Sequence, residues 1–125
     1  MASQSRVVTV VVWIAQALVA VAFLGAGGGK LAGARPMVEM FDVIGFGQWF
    51  RYVTGLIEVG SALLVLVPSV AFYGAVLLMC TMVGAIVAHF TVLDSPPTGP
   101  LALLCLGAII AWVRRPRDQP YWLSR

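Results

Sequence analysis

The stretch from Val7 to Gly28 contains no charged side chain and is long enough to cross a lipid bilayer. A transmembrane helix needs about 20 consecutive apolar residues. Three more apolar stretches follow, so the predicted spans are residues 7–28, 50–67, 70–92 and 100–113. The second and fourth reach the required length only with neighbouring aromatic residues. Because lipid offers no partners to backbone amides, each stretch is expected to form an α-helix.

The composition supports lipid as the solvent of this chain. Charged residues make up 10% of the sequence and hydrophobic residues 61%, and the mean hydropathy is +0.97. A soluble domain carries about 25% charged residues, which cover its surface. The loops between the last three spans are short, so those spans should be antiparallel neighbours. We therefore expect an all-α fold in which residues 1–125 form one integral membrane domain, a four-helix antiparallel bundle.

The connection between the first two spans, ARPMVEMFDVIGFGQWF, has a helical pattern of its own. Met37, Met40, Phe41 and Ile44 recur at helical spacing. The pattern predicts a short amphipathic helix that lies at the membrane interface and covers the bundle as a lid. The simpler alternative is an interfacial anchor whose aromatic rings lie at headgroup level.

The glycine-rich stretch GAGGGKLAG, residues 25–33, looks like a phosphate-binding loop but lacks its requirements. Leu24 stands six positions before Lys30, where that loop needs glycine, and Leu31 stands where a serine or threonine would contact magnesium. A dinucleotide-binding loop follows a strand, whereas these glycines follow a predicted membrane helix. We expect no nucleotide to bind, and we interpret the glycines as a helix end that packs closely against a neighbour.

The tripeptide Ala32-Gly33-Ala34 matches the A-x-A pattern of a signal-peptide cleavage site. The apolar segment before it is longer than the usual length of about 7–15 residues, and Lys30 lies between that segment and the tripeptide. We therefore expect the first span to remain in place as a membrane helix.

Arginines are concentrated on the side of the membrane that holds both termini. With four spans the termini share one side, which carries Arg6, Arg114, Arg115, Arg117 and Arg125. The opposite side carries Lys30, Arg35 and Arg51. Positive residues favour the cytoplasmic side, so we expect both termini to lie in the cytoplasm. With four spans, the chain is expected to be a multi-pass protein, and we expect its membrane to be a bacterial plasma membrane. The basic tail suits anionic lipid headgroups and gives no reason to expect nucleic acid.

The cysteine and histidine content does not predict a disulfide or metal site. Cys80 and Cys105 fall inside the third and fourth spans and form no C-x-x-C motif. We expect both to be small packing residues. With one histidine and no acidic cluster, no dedicated metal site is expected.

The polar residues within the spans are the most informative ones, because an ionisable group in a span usually faces the bundle interior. Helical spacing places Glu58 on a small, polar face of the second span, made of Arg51, Thr54, Gly55, Glu58, Ser61 and Ala62. A matching face of the first span contains Trp13, Gln16, Ala20, Phe23, Gly27 and Lys30. His89 lies near the end of the third span, above Leu78, Met82 and Ala85.

The predicted topology brings Lys30, Glu58 and His89 to the same outer half of the bundle, opposite the termini. With Gln16 and Arg51 they form the candidate ligand-binding site. We predict that Glu58 faces the interior and that its carboxyl lies within hydrogen-bonded or water-bridged reach of Lys30 or His89. The alternative is that Glu58 is a neutral carboxylic acid that holds helices together. Lys30 would then be a snorkelling end charge, and His89 an interfacial residue.

Four segments together resemble the DoxX-like family of small four-helix membrane proteins. They are FLGAGGGKLAG, MVEMFDVIGFGQWFRYVTGLIEVGSALLVLVP, GAIVAHF and AWVRRP, and the resemblance covers nearly the whole chain. It implies a four-helix fold and points to Lys30, Glu58 and His89. It also implies a range of functions: subunits of a thiosulfate:quinone oxidoreductase, partners of membrane redox complexes, and a distant receptor-assembly chaperone.

These observations lead to two functional hypotheses. In the first, a quinone-like or lipid-like molecule enters the outer half of the bundle, where Glu58 and His89 bind its polar head and Lys30 holds any negative charge. The chain would then be a subunit of a membrane redox complex, with a quinone as the candidate cofactor. In the second, the chain is a non-catalytic scaffold or assembly chaperone for a membrane protein partner, or a homo-oligomer. No sequence pattern assigns a reaction or a catalytic residue.

Overall fold

The computed structural model describes residues 5–116, which form α-helices and one π-helical turn, with no strand in that range. The helices are α1 (Arg6–Ala32), α2 (Arg35–Ile44), α3 (Gln48–Val65), α4 (Ala71–Ala88) and α5 (Thr98–Val113), and the π-helical turn His89–Leu93 continues α4. The all-α class is confirmed. Arg117 and Arg125, which contribute to the predicted orientation, lie outside the described residues.

The helix boundaries have local causes. Ser5 caps α1 because its Oγ accepts a hydrogen bond from the backbone N–H of Val8. Gly33 ends α1 in the left-handed region, with φ of +74°, where glycine has no Cβ to clash. Pro36 lies in the first turn of α2, where its missing N–H removes no helical hydrogen bond. A turn that includes Pro68 separates α3 from α4.

The long helices pack side by side. α1 contacts α3 and α5, and α4 contacts the same two helices. Gly27, near the end of α1, faces Gly55 in the first half of α3, whereas Gln16 bonds to Val65 at the end of α3, so these two helices run in opposite directions. α2 packs against α3 and the π-helical turn. We call the end of the molecule that contains α2 the far end. The opposite end, where α1 begins and α5 ends, is the terminal end.

The outer surface is largely apolar. Among the described helices, α1 with 27 residues and the 23-residue segment Ala71–Leu93 are long and apolar enough to cross a membrane. α5 is apolar but shorter. α3 is less hydrophobic because it carries Arg51 and Glu58, yet both are buried, and outward-facing Leu56 and Leu63 are 63% and 56% exposed. The polar residues of α3 therefore point inward and its apolar residues outward, the reverse of a water-soluble helix.

The expectation that both cysteines are packing residues is wrong. Cys80 and Cys105 are exposed. The core-facing positions of their helices are taken instead by residues such as Leu78 on α4 and Gly107 on α5. Both thiols consequently lie on the outer surface, away from the interior polar groups.

The prediction that Trp13 lies on the inward face of α1 is also wrong. Its side chain is 41% exposed, whereas Val12 before it and Gln16 about one helical turn after it are fully buried. The indole lies on the outside of the molecule, where the guanidinium carbon of Arg114 is 5.4 Å from the ring centroid. The other members of the predicted face, from Gln16 to Lys30, are buried as expected.

Candidate functional site

Lys30 and Glu58 form a buried ion pair at the far end. The Nζ atom of Lys30 lies 2.7 Å from Oε1 of Glu58. Lys30 is 8% exposed and Glu58 is 3% exposed, so both charges are withdrawn from the surface. The predicted inward orientation of Glu58 and its pairing with Lys30 are confirmed.

The two side chains meet because of the direction in which helical side chains lean. Each Cα–Cβ bond tilts toward the N-terminus of its own helix. Since α1 ends at the far end, Lys30 leans into the molecule, and since α3 begins there, Glu58 leans back toward that end. Lys30 therefore turns inward, whereas a snorkelling lysine turns outward to the interface.

Two facing glycines let α1 and α3 approach closely at this point. A Cβ on Gly27 would lie 2.9 Å from the carbonyl oxygen of Gly55, and a Cβ on Gly55 would lie 3.1 Å from that of Gly27. Small residues at a helix contact allow two backbones to come close in a membrane protein. The close contact brings Lys30 within reach of Glu58.

Arg51 connects the ion pair to α2. It is 5% exposed, its Nη1 donates to the backbone carbonyl of Lys30, and its Nε donates to Oε1 of Gln48 over 2.7 Å. Gln48 in turn donates to Oδ1 of Asp42 at 2.7 Å and to a backbone carbonyl of α2 at 3.0 Å. A chain of hydrogen bonds thus extends from exposed Asp42 on α2 to the backbone carbonyl of Lys30, whose side chain forms the ion pair.

The Lys30–Glu58 contact leaves hydrogen-bonding capacity unused. Nζ of Lys30 is the polar partner of buried Oε1 of Glu58, at 2.7 Å, and that oxygen has no other partner within residues 5–116. A carboxylate accepts at about four lone-pair positions, so Glu58 can still accept from a third group.

Within residues 5–116, His89 bonds to its own helix and not to the Lys30–Glu58 pair. Its Nδ1 lies 2.7 Å from the carbonyl oxygen of Ala85. Because a carbonyl only accepts, Nδ1 carries the hydrogen, and Nε2 of the neutral ring is an acceptor. His89 is half-buried and, together with Phe90 and residues 94–97, lines a shallow open depression of about 310 Å³.

Gln16 lies at the opposite end from Lys30 and does not join the other candidate residues. It precedes Lys30 on α1 by about 21 Å, at 1.5 Å per residue. Its Nε2 donates to the carbonyl oxygen of Val65 at 2.7 Å, and its Oε1 accepts from Nε of Arg114 at 3.1 Å. Fully buried Gln16 therefore links α1, α3 and α5 in a second polar cluster at the terminal end.

The family comparison covers Lys30, Glu58 and Gln16 but ends one residue before Arg114. Residues 14–113 match the model of the DoxX-like family. The chain belongs to the DoxX-like family. No curated protein and no solved structure matches the chain significantly. Family membership and the two apolar helices indicate that this DoxX-like protein resides in a membrane.

Sequence reasoning missed two side chains of this DoxX-like protein that join the polar clusters, Gln48 and Arg114. Both could have been found from the residues they bind. Arg114 follows α5 and leans toward the start of that helix, so it can reach a glutamine that must find partners when buried. Gln48 stands one helical turn before Arg51 and can therefore contact it. Within residues 5–116 no three histidine, cysteine or acidic side chains form a metal-binding group.

Proposed function

We propose that this DoxX-like protein is a multi-pass protein of a bacterial plasma membrane that binds a quinone-like or lipid-like molecule in its outer half. In this proposal α1, α3, α4 and α5 span the bilayer as an antiparallel bundle with both termini in the cytoplasm. The observation that carries the ligand assignment is the buried Lys30–Glu58 pair, whose carboxylate can accept from a further group. An ionisable group within a span is expensive in lipid and commonly marks a functional site.

The position of α2 supports an interfacial role for that helix. Its Phe41 is buried against the rest of the protein, whereas Glu39 and Asp42 are exposed. An amphipathic helix of this kind suits the plane of a membrane interface. The contacts of α2 with both α3 and the π-helical turn support a position over the end of the proposed bundle, where the Lys30–Glu58 pair lies.

The N–H donors of Lys30 and Arg51 favour a polar head that is rich in acceptor oxygens. The two positive charges are balanced by Glu58 beside Lys30 and by Asp42 at the exposed end of the hydrogen-bond chain. Lys30 can donate to a quinone carbonyl or to an anionic lipid oxygen, and Glu58 can accept from a hydroxyl group. His89 borders the open depression, where its Nε2 offers a further acceptor. A quinone bound in this way would make the protein a ligand-holding subunit of a membrane redox complex.

The ligand proposal is tested by native mass spectrometry of the purified protein, followed by titration with a short-chain benzoquinone and a phosphatidylglycerol. A retained or titrated molecule should bind at least tenfold more weakly to Glu58→Gln and to the double variant Lys30→Met/Glu58→Leu. The double variant removes both buried charges together, so its loss of binding is separable from unfolding. Glu39→Gln, which removes an exposed acid of α2, is the matched control and should bind normally. Unchanged binding in the double variant would refute the proposal.

A second candidate is a non-catalytic scaffold or assembly chaperone for a partner membrane protein. The observation that favours it is the chain of hydrogen bonds from Asp42 through Gln48 to Arg51, which fastens α2 to the bundle as a rigid surface. A partner pull-down that survives Lys30→Met/Glu58→Leu but fails with Gln48→Ala would support this role. Loss with the first variant and retention with the second would argue against it.

A further inference from the structure

The terminal end holds a guanidinium nitrogen that is buried and has no partner in the described chain. Arg114 follows α5, and its Nε donates to Oε1 of Gln16 at 3.1 Å. Its Nη2 is buried and has no hydrogen-bond partner within residues 5–116. Buried polar groups are nearly all hydrogen-bonded, so this exception needs an explanation. Because a guanidinium only donates, the missing partner must be an acceptor.

The acids of the described chain are too far away to balance this charge. Within residues 5–116 the acidic residues are Glu39, Asp42, Glu58 and Asp94, and all four lie toward the far end. The guanidinium of Arg114 is always charged. A charge-assisted hydrogen bond is roughly twice as strong as a neutral one. The acceptor that best fits Nη2 is therefore an oxyanion.

Arg115 makes the same helix end more positive but is engaged elsewhere. Its Nη1 donates to the backbone carbonyl of Trp112, and its guanidinium carbon lies 3.9 Å from the centroid of the Trp112 ring. The negative end of the α5 dipole would repel an anion, and the charge of Arg115 offsets it. Arg114 is thus left as the donor for a ligand.

The surface beside Arg114 is apolar and suits an acyl chain. The centroid of the Trp13 ring lies 5.4 Å from the guanidinium carbon of Arg114. On the same part of α1, Val10 and Ile14 are 52% and 54% exposed. A soluble anion gains nothing from such a surface. An anionic lipid can place its phosphate against the cation and its chains along the apolar side chains.

We propose that Arg114 binds the phosphate of an anionic lipid in the leaflet at the terminal end. Nη2 donates to a phosphate oxygen while Gln16 holds Nε, which makes Gln16 a positioning residue. The exposed indole of Trp13 turns to admit the headgroup, and side-chain rotations of this kind are common on binding. The inference relies on the multi-pass arrangement of the proposed function but not on its ligand.

The test compares brominated phosphatidylglycerol with brominated phosphatidylcholine of the same chain length as quenchers of tryptophan fluorescence. The full-length variant Trp49→Phe/Trp122→Phe keeps Trp13 and Trp112, so its emission reports on the terminal end. Salt at about 0.5 M screens diffuse attraction between the lipid and surface charges. We expect phosphatidylglycerol to bind there at least about fivefold more tightly than phosphatidylcholine. Equal binding of the two lipids would overturn the inference.

Substitutions in the same background locate the site. Arg114→Gln should remove the preference for phosphatidylglycerol while circular dichroism shows the helix content unchanged. Arg6→Gln removes an equal charge from the exposed start of α1 and should keep the preference. Equal losses in the two variants would overturn the specific site in favour of diffuse charge. Lys30→Met/Glu58→Leu should also keep the preference, so this result is separable from ligand binding at the far end.

Two further arms separate the sources of the oxyanion. Excess inorganic phosphate should leave the lipid preference unchanged, and its loss would assign Nη2 to a soluble oxyanion instead. Asp118, which lies outside the described residues, is the remaining acid of the chain. A preference that appears only in Asp118→Asn would make the chain's own carboxylate the partner and would overturn the inference. Absence of quenching by both lipids would instead overturn the multi-pass arrangement itself.

Discussion

Removing one member of the Lys30–Glu58 pair should be more harmful than removing both. Glu58→Leu leaves the ammonium of Lys30 without the carboxylate that lies 2.7 Å away in an environment where it is only 8% exposed. Breaking a buried ion pair in this way costs about 3–5 kcal/mol, whereas replacing both partners by apolar residues of similar size is often neutral or stabilising. The double variant Lys30→Met/Glu58→Leu should therefore unfold within about 1 kcal/mol of the wild type.

The assay is a double-mutant cycle on the free energy of unfolding in mixed micelles, followed by circular dichroism as the fraction of denaturing detergent rises. We expect a coupling energy of about 3 kcal/mol between the two positions, because the cost of an unpaired buried charge disappears in the double variant. Effects that add within about 0.5 kcal/mol would refute the reasoning, since independent sites behave that way.

The exposed pair Arg35–Glu39 on α2 is the matched control for this cycle. Its closest atoms are 3.7 Å apart, and its side chains are 91% and 70% exposed. Water and salt screen such a pair, so the same cycle at these positions should give a coupling energy close to zero. A coupling there as large as in the buried pair would show that the assay does not report burial.

Three further substitutions test the packing through the same unfolding measurement. Gly27→Ala should cost about 1–3 kcal/mol because its Cβ would lie 2.9 Å from two atoms of α3. Gly28→Ala is the control and should be neutral or stabilising, because its Cβ would have nothing within 4 Å. Equal losses of stability in the two variants would contradict this reasoning. Gln16→Leu should cost about 1–3 kcal/mol because the buried carbonyl of Val65 and Nε of Arg114 lose their hydrogen-bond partner, and an unchanged stability would be inconsistent with that cluster. Gly33→Ala should cost about 1–2 kcal/mol because φ is +74°; no loss would mean that the turn relaxes.

The sequence alone predicted the long helices and the inward position of Glu58 and Lys30. Apolar length predicted the long helices because lipid requires backbone hydrogen bonds to close within each segment. Helical spacing placed Glu58 and Lys30 on inward faces, and the cost of a charge in lipid implied that each must find a partner. These inferences needed only local periodicity and chain order. They left Lys30 and His89 open as partners of Glu58, and the structure shows Lys30, at 2.7 Å.

Only the tertiary structure decided which residues, far apart in sequence, contact the polar side chains outside the Lys30–Glu58 pair. Periodicity shows which residues share a face, but the rotation and separation of helices depend on contacts such as that between Gly27 and Gly55. Those contacts assign Gln16 to the terminal end with Arg114 and turn both cysteines outward. They also direct Arg51 to the carbonyl of Lys30. Such pairings join residues far apart in sequence, and no local pattern specifies the distance between their helices.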